Sequence, residues 1–156
     1  MQARTPAADQ PETPVSIDPD RAEAYRRAGW WPDQALLERY REVTRGLPGR
    51  LAVADDTGME LSHAELLDAG SAMARRLAES GVERRDIVIV AMPNRAAWQV
   101  VFVALLDLGA IPMTIPVTTD PATIAHLVDL VAARAILVAE RRGGAESSAL
   151  AVRSAA

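Results

Sequence analysis

Hydrophobic positions along the chain switch between helical and strand spacing, in an order that predicts an α/β fold. Leu36, Tyr40, Val43 and Leu47 recur at helical period, and Asp33 stands where a cap for that helix is expected. Leu47-Pro48-Gly49 stops it. Leu51–Ala54 and Met59-Glu60-Leu61 are short apolar runs around the acidic turn Asp55-Asp56-Thr57-Gly58, the pattern of a β-hairpin. Ser62 and Glu65 then form a capping box, each side chain satisfying the other's free backbone N–H. The helix that follows presents Leu66, Gly70, Met73 and Leu77 on one face, and Gly81 supplies a left-handed stop.

Beyond Asp86 the pattern changes. Ile87 to Met92 is continuously apolar and rich in β-branched residues, as in a strand covered on both faces. Pro93-Asn94 breaks it, and residues 96–108 form a nearly all-apolar helix whose polar side is only Arg95, Gln99 and Asp107. Gly109 ends that helix, and residues 110–115 read as a strand interrupted by Pro112. Asp120-Pro121 starts another helix, with Ile124, Leu127, Val128 and Val131 on one face. Residues 135–139 read as a third strand. Strand, helix, strand, helix, strand with short links predicts a βαβαβ parallel sheet with right-handed crossovers, preceded by a helix and a β-hairpin. Residues 1–19 hold Pro6, Pro11, Pro14 and Pro19 among small and acidic residues and are expected to be a disordered leader, with order beginning near Arg21. The α/β domain then spans 20–142, and 143–156, opening on Gly143-Gly144, is expected to be a loose tail.

Composition narrows the chemistry. A chain of 156 residues fits one domain. Aromatics are 4% of it, so the core must be aliphatic. All 17 basic residues are arginine, and there is no lysine. The net charge of −4, without long blocks of like charge, argues against nucleic acid or an anionic membrane as the main partner. The absence of cysteine rules out disulfides, thiolate zinc sites and a cysteine nucleophile. No apolar run is long enough to span a membrane, and the N-terminus has no signal-peptide pattern, so a cytoplasmic location is expected.

Each candidate site has a simpler explanation beside it. A βαβαβ unit invites a dinucleotide, but its first strand exits through Met92-Pro93-Asn94-Arg95, which has no glycine and, at Pro93, no N–H. A plain strand-to-helix corner accounts for it. Thr118-Thr119 lacks the glycines and the lysine of a phosphate loop, and reads as a polar link to the Asp120 cap. His63 and His126 each lack a second ligand at metal spacing. Asp55-Asp56 could be paired carboxylates, although turn chemistry explains them. Trp30-Trp31 could anchor the leader onto the domain or onto a partner. Arg84-Arg85 and Arg141-Arg142 could hold an anion or be solvated surface charge. No catalytic, cofactor-binding or metal residue is assigned, and no cofactor is expected to bind this chain alone.

From Ala28-Gly29-Trp30-Trp31 to about Gly144 the chain resembles the N-terminal part of adenylate-forming (AMP-binding) acyl- and aryl-acid ligases, the acyl-CoA synthetase type. The likeness rests on five motifs in order. Trp30-Trp31 with Leu36 is similar to the family's aromatic entry segment, and Leu61-Ser62-His63-Ala64-Glu65-Leu66 to its L-[ST]-Y-x-E-L step, with His63 in place of Tyr. Asp86-Ile87-Val88 with Met92-Pro93-Asn94 is similar to G-D-x-V…L-P-N, with Arg85 where Gly is usual. Leu105 to Pro112 is similar to A-x-L-x-x-G-A-x-x-x-P, and residues 122–127 to the helix that follows. The family's N-P ahead of that helix is missing around Val117.

The resemblance implies a partial Rossmann-like N-terminal subdomain of an enzyme that activates a carboxylate with ATP to an acyl-AMP and then acylates CoA or a carrier thiol. ATP, Mg and CoA are implied for the full-length family. The family's phosphate loop, ribose-binding Asp and catalytic Lys have no counterpart here, so the chain alone is expected to be inactive. The expected partner is the remainder of the ligase or a complementing chain, with self-association possible through an uncovered apolar face. A free-standing binding or regulatory module derived from the fold is the alternative, and a small complete nucleotide-binding protein a third.

Overall fold

The computed structural model describes residues 18–142 and 145–152. The chain divides after Ala35 into two units. In the first, α1 (Pro19–Arg27) starts on Asp18, whose carboxylate accepts the Asp20 N–H at 3.0 Å. Ordered chain therefore begins ahead of the expected boundary. The Asp18-Pro19 pair is the same cap-and-proline signal as Asp120-Pro121, and its meaning as a helix start is the same. The rest of the expected leader, 1–17, lies outside the described residues. The Tyr25 ring lies 5.7 Å from Trp30 and 6.4 Å from Trp31, and the Arg26 guanidinium sits 5.4 Å over Trp31. Asp33, the expected cap of the next helix, pairs with Arg26 at 3.5 Å within this unit.

The second unit begins with α2 (Leu36–Thr44), which ends before Leu47. β1 (Leu51–Ala54) pairs antiparallel with β2 (Glu60–Ser62), the expected hairpin. α3 (His63–Glu79) starts on the expected capping box: Ser62 Oγ accepts from Glu65 N–H, and Glu65 accepts the Ser62 N–H at 2.8 Å. β3 (Ile87–Ala91), α4 (Ala96–Leu108), β4 (Ile111–Thr114), α5 (Pro121–Leu130) and β5 (Ala135–Arg142) follow as the βαβαβ unit. β3 lies between β4 and β5 and is parallel to both. The α/β fold class with a three-strand parallel sheet thus stands.

One part of the tail departs from expectation. Residues 145–152 form β6 (Ala145–Val152), antiparallel to β5 in the register Ala135↔Val152 to Arg142↔Ala145. The two-glycine link at 143–144 between runs able to pair is a hairpin signal, and small Ala and Ser side chains do not prevent pairing. The expected loose tail is therefore corrected over these residues.

The core is aliphatic, as composition requires. Val88, Ile89, Leu77, Leu105 and Leu137 have no exposed surface, and adjacent β3 residues buried together mean that both faces of the strand are covered. α3 and α4 pack closely, with buried Gly70 on α3 facing Val103 of α4. Leu37 of α2 joins Leu66 and Val103 in a second cluster.

Candidate functional site

The place in this architecture where a ligand would be expected is the carboxyl edge of the parallel strands. From central β3 the chain crosses to β4 on one side, then returns past β3 to β5 on the other. Right-handed crossovers in opposite directions send α4 and α5 to opposite faces, which opens a crevice outside the strand ends. Two strand exits border it: Met92 to Arg95, leading into α4, and Ile115 to Asp120, leading into α5.

The first exit is already occupied by the chain itself. Asp55, at the tip of the β1–β2 hairpin, reaches across so that its Oδ2 accepts the Ala96 N–H at 3.0 Å. That N–H is one of the orphan donors of the first turn of α4. Arg95, the residue in the cap position, has no capping side-chain bond of its own. Asp55 Oδ1 meanwhile gathers the Thr57 N–H at 2.9 Å, the Thr57 hydroxyl and the Met59 N–H at 3.3 Å. These bonds, led by the Thr57 hydroxyl and the Ala96 N–H, lower the Asp55 pKa to about 2. Asp56 completes the clasp by pairing with Arg95 Nε at 3.3 Å. Turn chemistry explains only half of Asp55; its bond across 41 residues to a helix end has no local sequence signal.

The second exit has the same property. Asp120 caps α5, its Oδ1 accepting the Ala122 and Thr123 N–H groups at 3.0 Å, and the Thr123 hydroxyl is the main cause of its lowered pKa. Thr119 folds back with its N–H and hydroxyl both on Pro116 O, a turn as expected. So at both helix N-termini on this edge, where an anion would be attracted, a carboxylate of the chain already accepts backbone N–H groups, one at α4 and two at α5.

The remaining candidates lie elsewhere and do not converge. His63 is the first residue of α3, and its Nδ1 is 2.6 Å from the Tyr40 hydroxyl, whose pKa burial raises. Beside it is a shallow cleft of about 230 Å³ that includes Arg41, Arg45 and Asp68. An apolar groove of about 170 Å³ lies between α2, α3 and α4, lined by residues such as Leu37, Leu66 and Phe102. Arg41 bonds Asp107 at 2.7 Å, and Ser71 donates to the same carboxylate at 3.0 Å, tying α2, α3 and α4 together. His126 is exposed on α5. Among the described residues, no three His, Cys, Asp or Glu side chains cluster to hold a metal ion. Arg85 is exposed with φ +68°, while the side chains of Arg141 and Arg142 are outside the described residues. No described helix is long and apolar enough to cross a membrane.

The model of a family described as "AMP-binding enzyme" matches residues 40–155. The salicyl-AMP ligase / salicyl-S-ArCP synthetase of Mycobacterium tuberculosis is 34% identical over 134 residues, covering 83% of this chain and 24% of that protein. The medium-chain fatty-acid–CoA ligase of Escherichia coli is 28% identical over 97 residues, covering 62% of this chain and 17% of that protein. Among solved structures, apo MbtA of Mycobacterium smegmatis superposes with a TM-score of 0.70 at 31% identity, over 77% of this chain and 23% of that one. The N-terminal subdomain of Klebsiella oxytoca NpsA has the same fold, with a TM-score of 0.62 at 21% identity over 67% of this chain and 27% of that one. The chain thus spans about a quarter or less of the length of these curated relatives.

Proposed function

This chain belongs to the family of AMP-binding enzymes, as an N-terminal part of the adenylate-forming fold, and we propose that it is supporting architecture for carboxylate activation with no ligase activity of its own. The whole enzyme would couple a carboxylic acid to AMP with release of pyrophosphate, then pass the acyl group to a thiol. Identity is higher to the salicyl-activating relative than to the fatty-acid one, which favours an aryl acid for the complete protein.

The observation that carries this reading is that Asp55 and Asp120 already accept backbone N–H groups at the two helix N-termini of the strand edge. A triphosphate needs cations and free N–H donors, and its transfer chemistry needs charge neutralised at phosphorus. This chain has no lysine, its strand exits carry no glycine-rich loop, and carboxylates already compete for the helix N–H donors there. The residues present do not fit ATP with Mg, and no step of the reaction is assigned to them. The complementing surface would come from the remainder of a ligase, on the same polypeptide or another.

The test is pyrophosphate exchange into ATP by the purified chain, with salicylate, benzoate and octanoate offered in turn. No exchange is expected with any acid; exchange above the rate without protein overturns the proposal. A second reading, a free-standing binding module, is favoured by Trp30, which is 77% exposed beside Tyr25. The reading frame beyond Ala156 separates the two: a Gly-rich, Lys-ending loop downstream supports the ligase part, and its absence the module.

A further inference from the structure

β4 is the outermost strand on its side of the sheet, hydrogen-bonded only to β3 among the described strands. An outermost strand normally offers a row of unpaired N–H and C=O groups to any passing strand. Proteins blunt such edges with charge, shortness, bulges or proline. β4 reads Ile111-Pro112-Met113-Thr114 and carries no charge at all, and Ile111 is 49% exposed. Nothing in its side chains would repel a second apolar strand.

The register shows what does. Ile111 donates to Asp86 O at 2.8 Å and Ile115 donates to Val90 O at 3.1 Å. With Ile89 opposite Met113, the odd-numbered residues of β4 turn their backbone groups toward β3. In a parallel pair these directions alternate, so Pro112 and Thr114 turn theirs outward. Pro112 has no N–H. The open side of a four-residue strand is left with the Thr114 N–H as its sole outward donor. Moving the proline one position either way would instead break the bonding to β3. Position 112 is the interior site of β4 where proline removes an outward donor and keeps Pro112 level with Val88 in the ladder.

We propose that Pro112 seals the β4 edge against strand addition, so that a second copy of this chain cannot extend the sheet there. Association of copies of this chain, in this view, does not run through the β4 edge. The inference stands independently of the functional reading above.

The experiment is amide hydrogen exchange resolved by residue on the wild-type chain at low and high concentration, with sizing of Pro112→Val alongside. In the wild type the Thr114 N–H should exchange like an unprotected amide at both concentrations, while Met113 and Ile115 are slowed at least about a hundredfold by their bonds to β3. Pro112→Val should form larger species as concentration rises, with the Thr114 amide becoming protected in them. Protection of Thr114 in the wild type at high concentration would overturn the proposal, and needs no variant to be seen. So would a Pro112→Val chain with wild-type far-ultraviolet circular dichroism, unchanged size and an unprotected Thr114.

Discussion

Replacing Gly70 with alanine adds a single methyl group at the closest approach of α3 and α4. A Cβ built there would lie 2.3 Å from Val103 Cγ1 and 2.9 Å from Val103 Cβ. Carbon atoms in contact prefer about 3.5–4.0 Å, so the nearer contact falls short by more than about 1 Å. Rotating Val103 about χ1 could move Cγ1, but a helical valine has one strongly preferred rotamer, and the contact to Cβ would remain. Val103 is itself buried against Leu37 and Leu66, so it has nowhere to retreat. The two helices must part. Overpacking of this kind costs about 1–3 kcal/mol, and a clash anchored at Cβ belongs at the upper end. Alanine returns about 1 kcal/mol through its better helix propensity. The net expected loss is about 2 kcal/mol, or roughly 4–8 °C in Tm for a chain of this size.

Urea unfolding followed by circular dichroism measures this loss directly. Gly49→Ala, where a Cβ would meet nothing within 4 Å, is the control and should stay within about 0.5 kcal/mol of wild type. The decisive arm is the double-mutant cycle with Val103→Ala. Trimming Val103 alone should cost about 1.6 kcal/mol or more, from two lost methyl groups at ~0.8 kcal/mol each. In that background Gly70→Ala should become neutral or stabilising, because its methyl fills the space that Val103 vacated. The reasoning is refuted if Gly70→Ala matches wild type, or if it costs the same with and without Val103.

Other expectations follow from single contacts. Asp55→Ala should lower Tm at pH 7. The Asp55 pKa is depressed, so its contribution is fully present above its unfolded value of 3.8 and is lost as pH falls toward about 2. The gap in Tm between wild type and variant should therefore close across that window, and a gap that does not change with pH would argue against the clasp. Arg85→Gly should stabilise by about 0.5–1 kcal/mol in thermal melts, since removing the Cβ penalty of the left-handed conformation recovers about 1–2 kcal/mol and the extra chain entropy of glycine takes back about 0.5–1 kcal/mol of it. Asp107→Asn should cost no more than about 1 kcal/mol, and less in 1 M salt, because its pairing with Arg41 is partly exposed. Tyr40→Phe should cost about 1 kcal/mol by urea unfolding, and almost nothing once His63 is replaced by alanine, if the hydroxyl's partner is His63 Nδ1.

Much of this protein is written in local pattern. The Ser62/Glu65 capping box, the Asp120-Pro121 helix start, the left-handed Gly81 and Gly109, and the unbroken apolar run at Ile87 each specify a few neighbouring residues. Bonds within one or two turns of chain, and the burial that hydropathy announces, are enough to define those elements and their parallel order. The five motifs carry the family for the same reason, since each is a run of adjacent positions. The departure of Arg85 from glycine was also legible as a sequence difference, but only the backbone shows that this residue takes the left-handed conformation that glycine would adopt more cheaply.

What the sequence could not reveal joins residues far apart along the chain. Asp55 looks like an ordinary turn residue until the hairpin is seen lying against the start of α4. Gly70 looks like a gap in an apolar face until Val103 is found opposite it. Arg41 and Asp107 are two surface charges until α2 crosses α4, and Pro112 is a nuisance in a strand until β4 proves to be the outer one. Even the strand at 145–152 depended on which neighbour it would meet. In each case the sequence supplied the chemical group and the packing supplied its partner, because distance in space between such residues is set by the sum of every intervening turn and not by any one of them.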